Sequence, residues 1–576
     1  MELEVVAIIG VLLVVAASTL APKIGVASPL LLVALGFGIS LLPMVEPVAI
    51  PPELILGGIL PPLLYASAVD TPVMEFRRDL STISVFSVLL VVITAVVVGL
   101  IGVAVVPGMP LGVGIALGAV ISPTDAVATS IIRKAGISKR IVTILQGESM
   151  LNDASALVLL RAAVASVGVG VSLLQVAGQF VWAVAGAVLI GGLIGWLNLV
   201  VRGRIRQVSA NVALSLIIPF VAYLPAEELG ASGLVAAVVA GLVTGYGTPA
   251  WMGAQVRIAE RSVWKTIELI LESAVFLLVG LELPTLAADT GESGLLLPAV
   301  LAVTLGAVVV VLRTGMVAWS VWKLARRHRR AESGRERIGQ LQARLDAGQA
   351  GGERFPRADG PIRRQGSRRT SAPRDRVGQW QRMLDRRRAD LDYLAAERLG
   401  WREGGVLVWA GMRGAVTIAA AQTLPSEVPY RSLVILVATM VAVGTLVIQG
   451  LTLLPLTKRL GLADGRTGTD PGQWDALQAE LDAAALDRLA TSGNQRAAAL
   501  VEKLRARLER SDTEADDQRA DAAELTDVRL SVIEAQRSRL LELRGVGTYP
   551  STMMDDALAQ LDAAQIGIEL RQQYLD

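Results

Sequence analysis

The chain has 576 residues, 53% of them from the hydrophobic set and 18% charged, with a single His, His328, and no Cys. Soluble globular chains carry about a quarter charged residues, so the apolar excess points to a membrane protein. The formal charge of +2 names no partner, and the missing Cys and lone His exclude disulfides, iron–sulfur clusters, Cys/His zinc sites and His-based catalytic triads.

Thirteen apolar runs near or above the ~20-residue spanning length follow in series. They cover residues 4–22, 28–44, 54–70, 82–106, 112–132, 141–168, 173–201, 210–224, 231–246, 262–283, 294–322, 404–424 and 432–457. One such run is compatible with a buried core helix; thirteen predict an all-α polytopic membrane domain over 1–460. The opening Met1-Glu2-Leu3-Glu4 is acidic, whereas a signal peptide begins basic, so the first run is read as a retained helix.

Lys and Arg follow the odd-numbered runs: Lys23, Arg77, Arg78, Arg133, Lys134, Lys139, Arg140, Arg202, Arg204, Arg206, Arg257, Arg261, Lys458 and Arg459. Acids follow the even-numbered runs, among them Glu46, Glu53, Glu227, Glu228, Asp289 and Glu292. The positive-inside rule then places the N-terminus outside and the C-terminus in the cytoplasm, with a bacterial plasma membrane as the expected setting.

Two soluble pieces remain. Residues 323–403 form an Arg-rich loop, predicted helical over 376–398 and disordered over 351–373. It reads as a solvated cytoplasmic linker or as a binder of anionic lipid headgroups. Residues 462–576 read as a helical cytoplasmic tail, with Leu481, Ala485, Leu489 and Leu500, Leu504, Leu508 at helical spacing. The tail packs on itself, on the membrane domain or on a second subunit.

An ionisable group inside a spanning helix is costly and faces a cavity or a partner. The sixth run carries Gly147-Glu148-Ser149-Met150-Leu151-Asn152-Asp153, where a spacing of four stacks Ser149 beneath Asp153 and Glu148 beneath Asn152. Arg161, two turns beyond Asp153, is expected as a structural counter-ion. In the fifth run, Ser122-Pro123-Thr124-Asp125 interrupts the span, because proline removes a donor and clashes with the preceding turn. Free backbone at membrane depth is tolerated where it lines a cavity. In the twelfth run, Gly411 and Gly414 flank Arg413, which needs an anion; Glu148 is the acid without another evident partner. In the tenth run Glu272 is a supporting candidate, with Arg313 of the eleventh run as its expected partner. The interrupted runs are seven spans apart and so cross in opposite directions, a pattern of two inverted halves around a midplane transport site.

Together these residues resemble the NhaP-type sodium/proton antiporters, a cation/proton antiporter family that includes the animal Na⁺/H⁺ exchangers. The resemblance rests on Leu60-Pro61-Pro62-Leu63-Leu64, Ser122-Pro123-Thr124-Asp125, Gly147-Glu148-Ser149 through Asn152-Asp153, Glu272 through Gly280-Leu281-Glu282, and Gly411-Met412-Arg413-Gly414-Ala415-Val416. It covers residues 1–460 and neither the 323–403 loop nor the tail. It implies thirteen helices with two crossed, partly unwound ones, a homodimer, and an exchanger that is electroneutral. By similarity Asp153 is the transport carboxylate, and Ser149 and a Thr124 oxygen help hold the transported Na⁺. Asn152 supports the site, and Glu148 and Arg413 form a structural ion pair; Asp125, placed by the interruption where it can face a helix terminus, is a further ion- or proton-binding candidate. One departure stands out: many relatives carry an acid where this chain has Ala66.

The expected activity is secondary exchange of Na⁺, with Li⁺ or K⁺ as further cargo, for H⁺, driven without ATP, cofactor or nucleic acid. A K⁺/H⁺ or mixed monovalent cation antiporter is the alternative. An intramembrane hydrolase using Asp125 and Asp153 is the distant one, and the chain has no GxGD motif for it.

Overall fold

The computed structural model describes residues 3–24, 28–42, 51–125, 127–167, 173–288, 295–351, 399–462, 471–491 and 515–573. Among them every regular element is a helix, and the chain divides into two compact units, residues 1–320 with 401–467, and residues 321–400 with 468–576.

The first unit starts with α1 (Leu3–Ile24) and α2 (Ser28–Ser40). A π-helical turn, Leu54–Ile59, then leads into α3 (Leu60–Val69). Pro61 and Pro62 supply no amide donors, so the carbonyls one turn back cannot close ordinary α-helical bonds and the turn widens. α4 (Val73–Ser84), a second π-helical turn and α5 (Leu90–Val105) form one continuous span. Next come α6 (Leu111–Ile121), α7 (Val127–Lys134), α8 (Lys139–Ala165), α9 (Leu173–Arg202), α10 (Val208–Glu228), α11 (Gly233–Trp251) and α12 (Ala254–Ala288). α13 (Leu296–Gly351) belongs to this unit as far as residue 320, and α14 (Trp401–Trp409), α15 (Ala415–Gln422) and α16 (Arg431–Arg459) complete it. Seven described helices are long and apolar enough to cross a membrane unaided. The other apolar runs of the sequence coincide with shorter, more polar or interrupted helices.

Both expected interruptions are present. Residues 122–125 leave the helix between α6 and α7, and residues 411–414 leave it between α14 and α15. Elsewhere packing relies on small residues that let backbones approach. A Cβ added to Gly191 of α9 would sit 2.3 Å from the Ala236 carbonyl oxygen of α11. One added to Gly245 of α11 would sit 2.4 Å from the Val69 carbonyl oxygen of α3. An apolar cluster fills this scaffold, with Tyr65, Ala66, Ala154, Val158, Ala236 and Trp264 at its centre.

The Arg-rich loop differs from its expectation at its start: α13 stays helical as far as Gly351, where the many Ala, Arg, Glu, Gln and Leu, good helix formers, outweigh Gly334, Gly339 and Gly348. The predicted helix 376–398 and all of the 351–373 stretch beyond Gly351 lie outside the described residues, as do Leu500, Leu504 and Leu508. In the second unit, α17 (Pro471–Thr491), α18 (Ala515–Val546) and α19 (Ser551–Gln573) pack on one another around Leu477, Leu481, Ile533, Leu540, Met553 and Leu558. Arg539 pairs with Glu480 at 2.7 Å, Arg537 with Asp562 at 3.0 Å, and the Tyr549 hydroxyl donates to Glu480 Oε1 at 3.0 Å.

Candidate ion-binding site

The two interrupted segments lie against each other. The Asp125 amide donates to the Met412 carbonyl at 2.8 Å, and the Thr417 hydroxyl to the Pro123 carbonyl at 3.4 Å. Each interruption exposes two half-helix ends, which carry opposite partial charges. At the C-terminal ends, Arg413 Nε donates to the Ile121 carbonyl, the last of α6, at 3.0 Å, and its Nη1 donates to the Gly411 carbonyl just past α14. At the N-terminal ends, Asp125 Oδ1 accepts from the Val127 amide of α7 at 3.1 Å. Gly414, which caps α15, lies so close that an added Cβ would fall 1.5 Å from Asp125 Oδ2. A cation thus sits on the negative ends and a carboxylate on the positive ones.

This placement overturns the expected Glu148–Arg413 pair. Arg413 is already satisfied by backbone carbonyls freed by the breaks, and Glu148 takes Arg313 instead. Arg313 holds both Glu148 carboxylate oxygens, one of them at 2.9 Å, and its Nε donates to the Leu407 carbonyl at 2.9 Å. The pair is almost fully buried, with side chains 1% and 0% exposed. Arg313 is therefore not the partner of Glu272, a second correction. Arg161 is a structural counter-ion as expected, but to Glu227, whose carboxylate oxygens it bonds at 2.6 Å, and it is 36% exposed rather than buried. It braces α8 against α10 rather than compensating charge beside Asp153.

α8 delivers the polar face read from the sequence. The Ser149 hydroxyl donates to the Thr124 carbonyl at 2.7 Å. Asn152 Nδ2 donates to the Ser122 carbonyl at 3.2 Å and reaches Thr124 Oγ1 at 3.5 Å. These bonds tie α8 to the break after α6. Asp153 is 4% exposed, and its Oδ1 has no hydrogen-bond partner among the described residues. A buried acceptor without a protein partner can take a further occupant.

That occupant has room. A cavity of about 50 Å³ is lined by Thr124, Asp125, Ser149 and Asp153 and by residues 414–417. The volume exceeds the ~10–15 Å³ needed for one water, so an ion with part of its hydration shell fits. Carboxylate, hydroxyl and carbonyl oxygens are the donor set a hard monovalent cation takes. Leu63, Leu64 and Ser67 of α3 and Glu268 and Glu272 of α12 also line the cavity. Of the buried charges of the tenth run, Glu272 is the stronger candidate in the sequence and Glu268, one turn before it on the same helix face, a weaker one; Ser67 carries no such signal. Ala66 points into the apolar cluster, leaving α3 without an acid at the cavity.

The sodium/hydrogen exchanger transmembrane family model matches residues 8–335 and 386–459, and the chain belongs to this family. It is 31% identical to an uncharacterized Na⁺/H⁺ exchanger of Mycobacterium tuberculosis, across 96% of this chain and 94% of that one. It is 26% identical to the Na⁺/H⁺ antiporter ApNhaP of Aphanothece halophytica, across 76% of this chain and 70% of the relative. A sodium, potassium, lithium and rubidium/H⁺ antiporter of Bacillus pumilus shares 32% identity across 44% of this chain and 40% of its own. Among solved structures, the fold matches the sodium proton antiporter MjNhaP1 of Methanocaldococcus jannaschii, with a TM-score of 0.51 and 17% identity. That match covers 81% of this chain and all of the other.

Proposed function

We propose that the chain is an alternating-access antiporter exchanging Na⁺ for H⁺ at Asp153. The observation that carries this reading is the buried Asp153 carboxylate with an open oxygen in a cavity that also presents Ser149 and Thr124. A proton or a cation can occupy that carboxylate, but not both. An ionised, empty Asp153 is costly to carry through a dry barrier, whereas either loaded form is neutral. Loaded states cross and the empty state stays, which couples the two fluxes one for one and makes the exchange electroneutral. Thr124 and Ser149 hold the ion, Asn152 and Asp125 fix the break behind them, and the Glu148–Arg313 pair is a fixed strut. Arg413 neutralises the half-helix ends. No cofactor enters this cycle, and the protein is a carrier rather than a hydrolase, since Asp125 is engaged at a helix N-terminus.

The Lys and Arg distribution supports an N-terminus outside and a cytoplasmic C-terminus in the plasma membrane. The family membership and the broad exposed apolar faces of α1 and α9 support a lipid-embedded homodimer. Mixed selectivity for Na⁺, K⁺ and Li⁺ is the second reading. It is favoured by the Bacillus relative's range of cations and by the absence of an acid at Ala66.

The test is dequenching of a pH dye in everted vesicles, with each cation titrated separately. Asp153→Asn is expected to insert normally and to lose all cation-dependent proton movement. Full exchange by that variant overturns the assignment.

A further inference from the structure

We propose that Glu268 is the cation-collecting carboxylate at the cytoplasmic mouth of this cavity, holding an incoming ion one helical turn short of Glu272 and Asp153. The inference rests on the exchange reading above and on its orientation of α12, whose start lies beside the cytoplasmic Arg257 and Arg261.

Glu268 and Glu272 are four residues apart on α12, so they share one face with a rise of about 6 Å between them. Both line the cavity. Glu268 is half-buried, and the charged groups around it are Asp70 at the end of α3, Lys265 on α12 and Arg133 on α7. All three are exposed to solvent. Arg133 reaches Gln146 Oε1 at 3.4 Å, and Gln146 in turn donates to the Asp70 carbonyl at 3.4 Å. Glu268 therefore stands where the water-exposed rim narrows into the cavity.

A row of acids alone does not make a binding path. This row ends on an independent feature, the 4%-exposed Asp153, which lines the same cavity and has one oxygen without a hydrogen-bond partner among the described residues. A small cation sheds water in steps, and each step needs an oxygen to replace what is lost. α3 offers only Ser67 and apolar side chains at this depth, so α12 supplies the first carboxylate. A charge at the rim raises the local cation concentration and is screened by salt.

The experiment uses the full-length protein in everted vesicles, where the cytoplasmic face meets the added Na⁺. Glu268→Gln is expected to raise the apparent KM for Na⁺ about five-fold at low ionic strength, the scale of one unit charge a few ångströms away. The maximal rate should fall less than two-fold, and Glu268→Asp should restore most of the affinity. Choline chloride should close the gap, because the Debye length shrinks from ~30 Å at 0.01 M to ~8 Å at 0.15 M. Asp70→Asn, at the exposed rim, should shift KM the same way by a smaller factor. An unchanged KM in Glu268→Gln, a shift that salt does not touch, or an equal shift for Na⁺ presented from the outer face overturns the proposal. If Asp153→Asn still exchanges, the exchange reading itself falls; if Asp153→Asn is dead and Glu268→Gln behaves as wild type, only this inference falls.

Discussion

Two regions of the membrane unit take charge out of water and treat it in opposite ways. In the scaffold of α3, α9, α11 and α12, Arg202 and Glu260 face each other at 2.8 Å with side chains 0% and 5% exposed, and Arg202 Nε is held by Asn211 at 2.8 Å. Close helix crossings and an apolar cluster surround them. At the broken helices, the buried Asp153 lines a cavity together with the half-buried Glu268 and Glu272. A buried pair fixes geometry; a buried carboxylate with room beside it exchanges its partner. The contrast teaches that burial alone does not mark a transport residue. Space next to the charge does.

The largest effect should come from filling that space. Gly414→Ala places a methyl on the Asp125 carboxylate and should abolish exchange while the scaffold still folds, read as dye dequenching alongside detergent-extracted yield. Second is the strut behind the site. Arg313→Met leaves Glu148 charged and buried without a partner and should cost about 3–5 kcal/mol of stability, seen as a lowered Tm, and Arg202→Met in the scaffold should cost a similar amount. Any Arg202→Met protein that survives should keep the wild-type KM for Na⁺, which would sharpen the division between closed and open charge.

The smallest effect lies in the tail, where charge meets water. Tyr549→Phe removes the bond to Glu480 and should cost about 1 kcal/mol. Burial first, and then the Glu480 carboxylate, push the Tyr549 phenol up to about 12. Its folded pKa is above its unfolded value near 10, so its contribution is complete below about pH 10 and fades as pH rises toward about 12. An unchanged alkaline melting profile in Tyr549→Phe would remove this role.

The spans, both breaks and the polar face of α8 were legible because they are local: apolar length, Pro123, paired glycines around Arg413, and a spacing of four. What misled were the partners of the arginines. Pairing Arg413 with Glu148 counted side chains only, whereas the breaks had released the Ile121 and Gly411 carbonyls as competing acceptors. Arg313 lies 165 residues from Glu148, and no spacing rule reaches that far. Glu268 was visible as an acid, but whether it joins the cavity depends on how α12 packs against α3.

The grip of Arg413 on both Ile121 and Gly411 has a mechanical consequence. One guanidinium rivets the stumps of two different half-helices, so the crossover resists splaying and is built to shift as a single block. On the exchange reading, slippage is then expected at the seam where that block meets α12, a shear rather than a hinge. A crosslink bridging that seam should freeze the carrier, whereas one placed inside the block should leave it running.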